Sequence, residues 1–159
     1  VRVRQLTSLT DDLEAEGLQP VSVVLSLEAV RADKTVAAHL EVRPGQRIHR
    51  LSRLRIVESE PLAIEVAHLP GPLPKLAEYL AEKGSLYATL RDCYGRGVTS
   101  VEDTVETALA TPDQAELLEI GTGQPLLLFH RTGRDRDGRV VEWTRSVYRG
   151  DRFRFVARA

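Results

Sequence analysis

The chain has little cysteine, no long apolar run and almost no net charge, and each shortage excludes something. One cysteine, Cys93, leaves no intrachain disulfide and points to a reducing compartment. Its setting, RDCYG, is that of a small buried residue. No apolar run approaches the ~20 residues of a membrane span, and Val1 to Thr10 lacks the apolar centre of a signal peptide. We therefore expect a soluble, cytosolic chain that does not engage the membrane. The net charge is −1 with both signs interspersed, and no block of roughly five like charges occurs, so this chain has no basic face with which to grip nucleic acid by itself. The one local exception is the tail RGDRFRFVARA, where acids and bases alternate as in a solvated or salt-bridged strand.

Catalytic patterns are equally scarce. The sequence contains no G-x-S-x-G, no glycine-rich phosphate loop and no cysteine with metal-ligand partners. His39, His49, His68 and His130 fall in separate elements, and no pair has the close helical spacing of a zinc site. Glu65 and Glu142 are a conceivable acid pair, but nothing marks either as a nucleophile or base. We expect no metal, no cofactor and no enzyme.

What is present is a single domain's worth of alternating elements. A chain of 159 residues buries roughly 70% of its unfolded surface without a covalent staple. Leu6 to Gly17 has Thr10 as an N-cap, Asp11 and Asp12 in the first turn and Gly17 as a stop, so it predicts a short helix. The run from Pro20 to Ala32 is β-branched and alternating, and Asp33 then opens a helix that extends toward Pro44-Gly45. Gln46 to Val57 and Pro61 to Leu69 are two strands joined by a short polar turn, which must be antiparallel neighbours. Two helices follow, PKLAEYLAEKG stopped by Gly84 and SLYATLRDCYG capped by Ser85 and stopped by Gly95. Gly97 to Ala110 alternates as a half-exposed strand. Thr111-Pro112 starts a helix running to Gly121. Pro125 to Asp135 and Arg139 to Gly150 flank an Asp-Gly turn, and Phe153 to Ala157 reads as a last strand. There are no repeats and no linkers, so the pattern is a single α+β unit.

The informative stretch is the first hairpin. Arg53 and Arg55 lie two residues apart in a strand, so both guanidinium groups share a face, and Glu65 lies in the next apolar run. Charges turned inward need a partner: either one another or an anionic guest. Planar forks suit phosphate or carboxylate, and the residues alone leave both alternatives open. Ser85 caps a helix with no acid in its first turn, so that dipole end is open to an anion, although a plain cap explains it as well. Thr10 offers a hydroxyl beside acids that already neutralise its helix end. Glu142, Thr144, Ser146 and Tyr148 line one side of the final hairpin strand, as a solvent face or as a pocket wall.

Together LTSLTDDLEAEGLQP, RLRIVESEPLAIEVAHLP, GSLYATL, VEDTVETALAT and PLLLFHRTGRDRDGRVVEWTRSVYRGDRFRF resemble the UTRA effector domain of HutC-type GntR-family transcription regulators over nearly the whole chain. The EW-x-x-S-x-YRGDR ending and the SLY helix start are similar to those of repressors of N-acetylglucosamine use. The resemblance implies a chorismate-lyase-like α+β fold, mostly antiparallel sheet with flanking helices, over residues 1–159. It also implies a homodimer and a small-molecule pocket that signals to an N-terminal winged-helix domain outside this sequence, through which alone DNA is met. By the same resemblance a sugar 6-phosphate is held through its phosphate by Thr10, Arg53, Arg55, Ser85 and Tyr87, while Glu65, Glu142 and Tyr148 meet the sugar. The chain departs from those relatives at Leu9, where they carry an aromatic residue. We expect a sensor of a small anionic effector, foremost glucosamine 6-phosphate or N-acetylglucosamine 6-phosphate, with another phosphorylated sugar or a carboxylate as the alternative. A chorismate-lyase-like enzyme and a dimerisation module without a ligand are the rivals from other classes.

Overall fold

The computed structural model describes residues 20–154. The expected helix from Leu6 to Gly17, and Thr10 with it, lie outside the described residues. Six strands form one antiparallel sheet: β1 (Pro20–Arg31), β2 (Arg47–Val57), β3 (Glu60–Pro70), β4 (Ser100–Leu109), β5 (Pro125–Arg134) and β6 (Val140–Arg149). Their order across the sheet is β1-β2-β3-β6-β5-β4. The β2–β3 turn is only two residues long, Glu58 and Ser59, both at positive φ (51° and 66°); this is the twist that joins adjacent antiparallel strands most compactly. The β5–β6 turn is wider. There the Asp135 carboxylate accepts from the backbone N–H groups of Asp137 and Arg139, and Gly138 takes the positive φ.

Among the described residues four helices cover both sides: α1 (Lys34–Leu40), α2 (Leu76–Lys83), α3 (Leu86–Tyr94) and α4 (Pro112–Leu118). Their starts follow the caps in the sequence. Asp33 accepts from Val36 N, Ser85 from Ala88 N, and Thr111 forms a reciprocal capping box with Gln114 ahead of Pro112. Two helices end earlier than the sequence pattern implies, because Glu41 and Glu119 adopt the left-handed conformation and close α1 and α4 before their glycines are reached. α2 and α3 pack Leu76, Leu80, Leu86 and Leu90 on Leu51, Ala67 and Leu69 of one sheet face. α1 lies on the other face against Ile48, Val140 and Trp143, and α4 against Ile64, Leu126 and Val147.

Two expectations need correction. No strand begins at Phe153: the chain turns after Arg149, and Phe153 stacks on Tyr148 with ring centroids 4.3 Å apart, so burial of an aromatic ring replaces strand pairing; residues 155–157 lie outside the described residues. Cys93 is partly exposed, not buried. His39, His68 and His130, though from separate elements, converge on the single tryptophan, Trp143, with His39 stacked at 4.1 Å. Among the described residues no group of three or more His, Cys, Asp or Glu is placed to hold a metal ion, and no helix is long and apolar enough to cross a membrane.

Candidate functional site

Strand register carries the polar residues to one face. Arg53 pairs across with Glu65 and Arg55 with Ala63, while Glu65 pairs with Ser146 and Ala63 with Tyr148. Side chains opposite one another share a face. Arg53, Arg55, Glu65, Ser146 and Tyr148 therefore meet on the face that carries α2 and α3, and all are buried. The polar stripe of β6 is thus an inner wall and not a solvent face.

At its centre Glu65 joins two strands' worth of charge. Its Oε2 accepts from Arg53 Nη2 at 3.1 Å and from Arg55 Nη1 at 3.0 Å, and its Oε1 accepts from the Tyr148 hydroxyl at 3.1 Å. Burial opposes ionisation of Glu65, but Arg55, Arg53 and the Tyr148 hydrogen bond outweigh it and hold the carboxyl below its ordinary value. Tyr148 is pushed well up, by burial first and then by the Glu65 charge, and so remains a hydroxyl donor. Burial also lowers Arg53 from its ordinary value, yet a guanidinium starts so high that it stays charged. Two buried cations thus share one carboxylate oxygen, and Arg53 Nε, also buried, has no hydrogen-bond partner among the described residues.

A second polar group adjoins the first. Glu142 is 2% exposed; its Oε1 accepts from Thr144 Oγ1 at 2.9 Å, and the Tyr87 hydroxyl lies near its carboxylate. Its Oε2 has no partner among the described residues. Burial raises the Glu142 carboxyl, with Tyr87, Arg131 and Thr144 opposing and Glu65 adding to the rise. Tyr87 comes from the first turn of α3, which fastens that helix start to the wall. Burial, then the Glu142 charge, raise its hydroxyl too. Ser85 caps α3, its Oγ accepting from Ala88 N at 3.3 Å, and the first turn of α3 has no acid.

Of the eight residues singled out in the sequence, the structure joins Arg53, Arg55, Glu65 and Tyr148 directly, and places Tyr87 near Glu142 beside them. Ser85 occupies the expected helix start. Thr10 lies outside the described residues. The sequence reading missed Arg131 and Asp103, which meet in a two-pronged ion pair, Nε to Oδ1 and Nη2 to Oδ2 both at 2.8 Å, with Arg131 Nη1 3.3 Å from the Tyr87 hydroxyl. Their signal was strand parity: Arg131 lies opposite both Thr144 and Asp103. A separate hollow of about 610 Å³ borders the ends of β4 and β5, with Thr107, Leu127 and Phe153 in its wall. It contains none of the charged residues above.

An antiparallel sheet with helices on both faces and a buried charged wall on one of them makes an α+β domain, in keeping with the chorismate-lyase-like fold that the resemblance implies. The family model of the UTRA domain matches residues 15–154, so the chain belongs to the UTRA domain family. The HTH-type transcriptional repressor NagR of Bacillus subtilis (strain 168) is 31% identical over 151 residues, covering 95% of this chain and 62% of NagR. The HTH-type transcriptional repressor PhnF of Mycolicibacterium smegmatis is 32% identical over 160 residues, 98% of this chain and 65% of PhnF. The crystal structure of the effector domain of PhnF from Mycobacterium smegmatis has the same fold, with a TM-score of 0.82 at 29% identity, covering 96% of this chain and 94% of that one. This chain spans less than two thirds of the length of those two repressors.

Proposed function

We propose that this chain is the ligand-sensing domain of a GntR/HutC-type transcription regulator and that it binds a small anionic metabolite, foremost an amino-sugar 6-phosphate. The observation that carries this reading is the sharing of the Glu65 oxygen by Arg53 and Arg55, both buried. Among the described residues, Arg53, Arg55 and Arg131 stand beside Glu65 and Asp103, with Glu142 held toward its protonated form by burial. An arriving phosphate adds negative charge beside these cations and accepts from Arg53 Nε. The Ser85 hydroxyl accepts from Ala88 N and keeps its own proton to donate, and Thr10 supplies a further hydroxyl. Glu65, Glu142 and Tyr148 then read hydroxyl or amine groups of the sugar.

For sensing, the ligand must favour one arrangement of a dimer over another, by about 1–3 kcal/mol. We propose a homodimer whose two winged-helix domains, N-terminal to this sequence, are repositioned on binding. Edge strand β1 exposes Val21, Val23, Val24 and Leu25, the kind of apolar edge that a second chain covers. The regulator reading has the repressor names of the relatives in its favour over a lyase. Sedimentation of the chain with and without ligand tests the assembly; a monomer under both conditions argues against it. Titration calorimetry with glucosamine 6-phosphate, its N-acetyl form and unphosphorylated glucosamine tests the ligand class.

A further inference from the structure

We propose that Arg131 is a positioning residue: locked by Asp103, it holds the Tyr87 hydroxyl on Glu142 and so turns Glu142 Oε2 toward a hydrogen-bond donor of the bound ligand. The ligand half of this statement rests on the function proposed above. Arg131 itself is a poor candidate for the anion clamp, since Asp103 engages both Nε and Nη2 in a fork at 2.8 Å. Asp103 is buried, its side chain 7% exposed. What Arg131 has left for the site is directional: Nη1 donates to the Tyr87 oxygen at 3.3 Å. A phenol that accepts from a guanidinium has its own proton to give elsewhere, and the Glu142 carboxylate, near enough to raise the Tyr87 hydroxyl, is the acceptor we assign to it. Thr144 fixes the other contact on Oε1.

The backbone beneath is shaped for the same end. Gly133 lies on β5 opposite Glu142, and a Cβ there would meet Glu142 Cγ at 2.8 Å and Cδ at 3.2 Å. The glutamate therefore lies flat across a glycine, two residues along from Arg131, with Thr144 and Tyr87 on its carboxylate. A buried carboxylate oxygen left without a partner is costly unless it gains a donor. A sugar hydroxyl or an ammonium supplies one; an isolated phosphate does not.

The test uses the whole chain and two readouts. Carbon-13 NMR of the Glu142 carboxyl, assigned with Glu142→Gln, is followed through a pH titration of ligand-free wild type and Arg131→Gln. Since the Arg131 charge favours the ionised form of Glu142, the midpoint should rise in the variant, and Arg131→Lys, which keeps the charge but lacks the fork, should restore the midpoint in part without restoring the ligand affinity. Calorimetry with glucosamine 6-phosphate and glycerol 3-phosphate should then show about a tenfold loss for the sugar phosphate in Arg131→Gln, with little change for glycerol 3-phosphate. Gly133→Ala, which leaves Arg131 and Tyr87 in place but displaces Glu142, should give the same selective loss. An unmoved Glu142 titration overturns the proposal, as does equal weakening of both ligands, which marks Arg131 as merely structural. If wild type binds neither phosphate while the titration still moves, the anion reading fails and the positioning of Glu142 by Arg131 stands.

Discussion

At the scale of single residues, Glu65 is the hinge between stability and binding. It is the carboxylate on which two buried arginines and a tyrosine hydroxyl converge, so Glu65→Ala takes that carboxylate from two buried cations. Breaking a buried ion pair from one side costs about 3–5 kcal/mol, and denaturant unfolding should show a loss of that order. Inorganic phosphate should then stabilise Glu65→Ala more than it stabilises wild type, because the anion replaces the missing charge. An equal effect on both chains would place phosphate away from the arginines. Glu142 is perturbed in the opposite sense. Its carboxyl is held above the ordinary value, chiefly by burial, so the native chain binds that proton more tightly than the unfolded chain. The stability this contributes is present below the ordinary carboxylate range and is lost as pH rises through the native-state value. Glu65, held low, contributes stability above that range that is lost as pH falls. Thermal unfolding of wild type and Glu142→Gln between about pH 4 and pH 8 separates the two. The variant should gain on wild type as pH rises, and a difference that is flat in pH would contradict the assignment.

At the scale of elements, the start of α3 matters most, because a capping serine and a phosphate-binding serine look alike in sequence. Here the Ser85 oxygen accepts from Ala88 N, and the proposed ligand takes its proton. The two roles separate by substitution. Ser85→Ala should lose about 1 kcal/mol of stability together with phosphate affinity. Ser85→Asp, an equally good cap, should keep the stability and abolish phosphate binding by like-charge repulsion. Binding retained in Ser85→Asp would remove this helix start from the site.

Elements with local signals were legible in the sequence. Ser85, Asp33 and Thr111-Pro112 announced their helices, and the alternation of Arg53 and Arg55 announced a shared face. Where neighbours decided the outcome, legibility failed. Glu41 and Glu119 close their helices in a conformation their side chains do not advertise. Phe153 gives up strand pairing to stack on Tyr148. Arg131 was overlooked because its significance lies in a register, opposite Thr144 on one side and Asp103 on the other, that no single strand displays. For the same reason the hairpin charges were ambiguous. The structure shows Arg53 and Arg55 paired with Glu65, and this pairing does not exclude the proposed anion, since a guanidinium has five donors and Arg53 Nε has no partner among the described residues.

At the scale of the molecule, the sheet divides its labour by face. One face is apolar under α1 and α4, with Trp143 among its histidines. The other combines the leucine cluster under α2 and α3 with the charged wall, so the helix start that carries Ser85 and Tyr87 is anchored in the core on one side and reaches the charges on the other. A ligand held by β2, β3, β6 and α3 together ties the helix layer to the sheet, which is the differential contact that a sensing domain needs. The central claim is that this wall is an anion site. Calorimetric titration of the chain with glucosamine 6-phosphate and with glucosamine tests it most directly. Each charge-assisted hydrogen bond contributes about 1.5–3 kcal/mol, so the phosphorylated sugar should bind at least about a hundredfold more tightly through the two arginines. Equal affinity for the two sugars would contradict the claim.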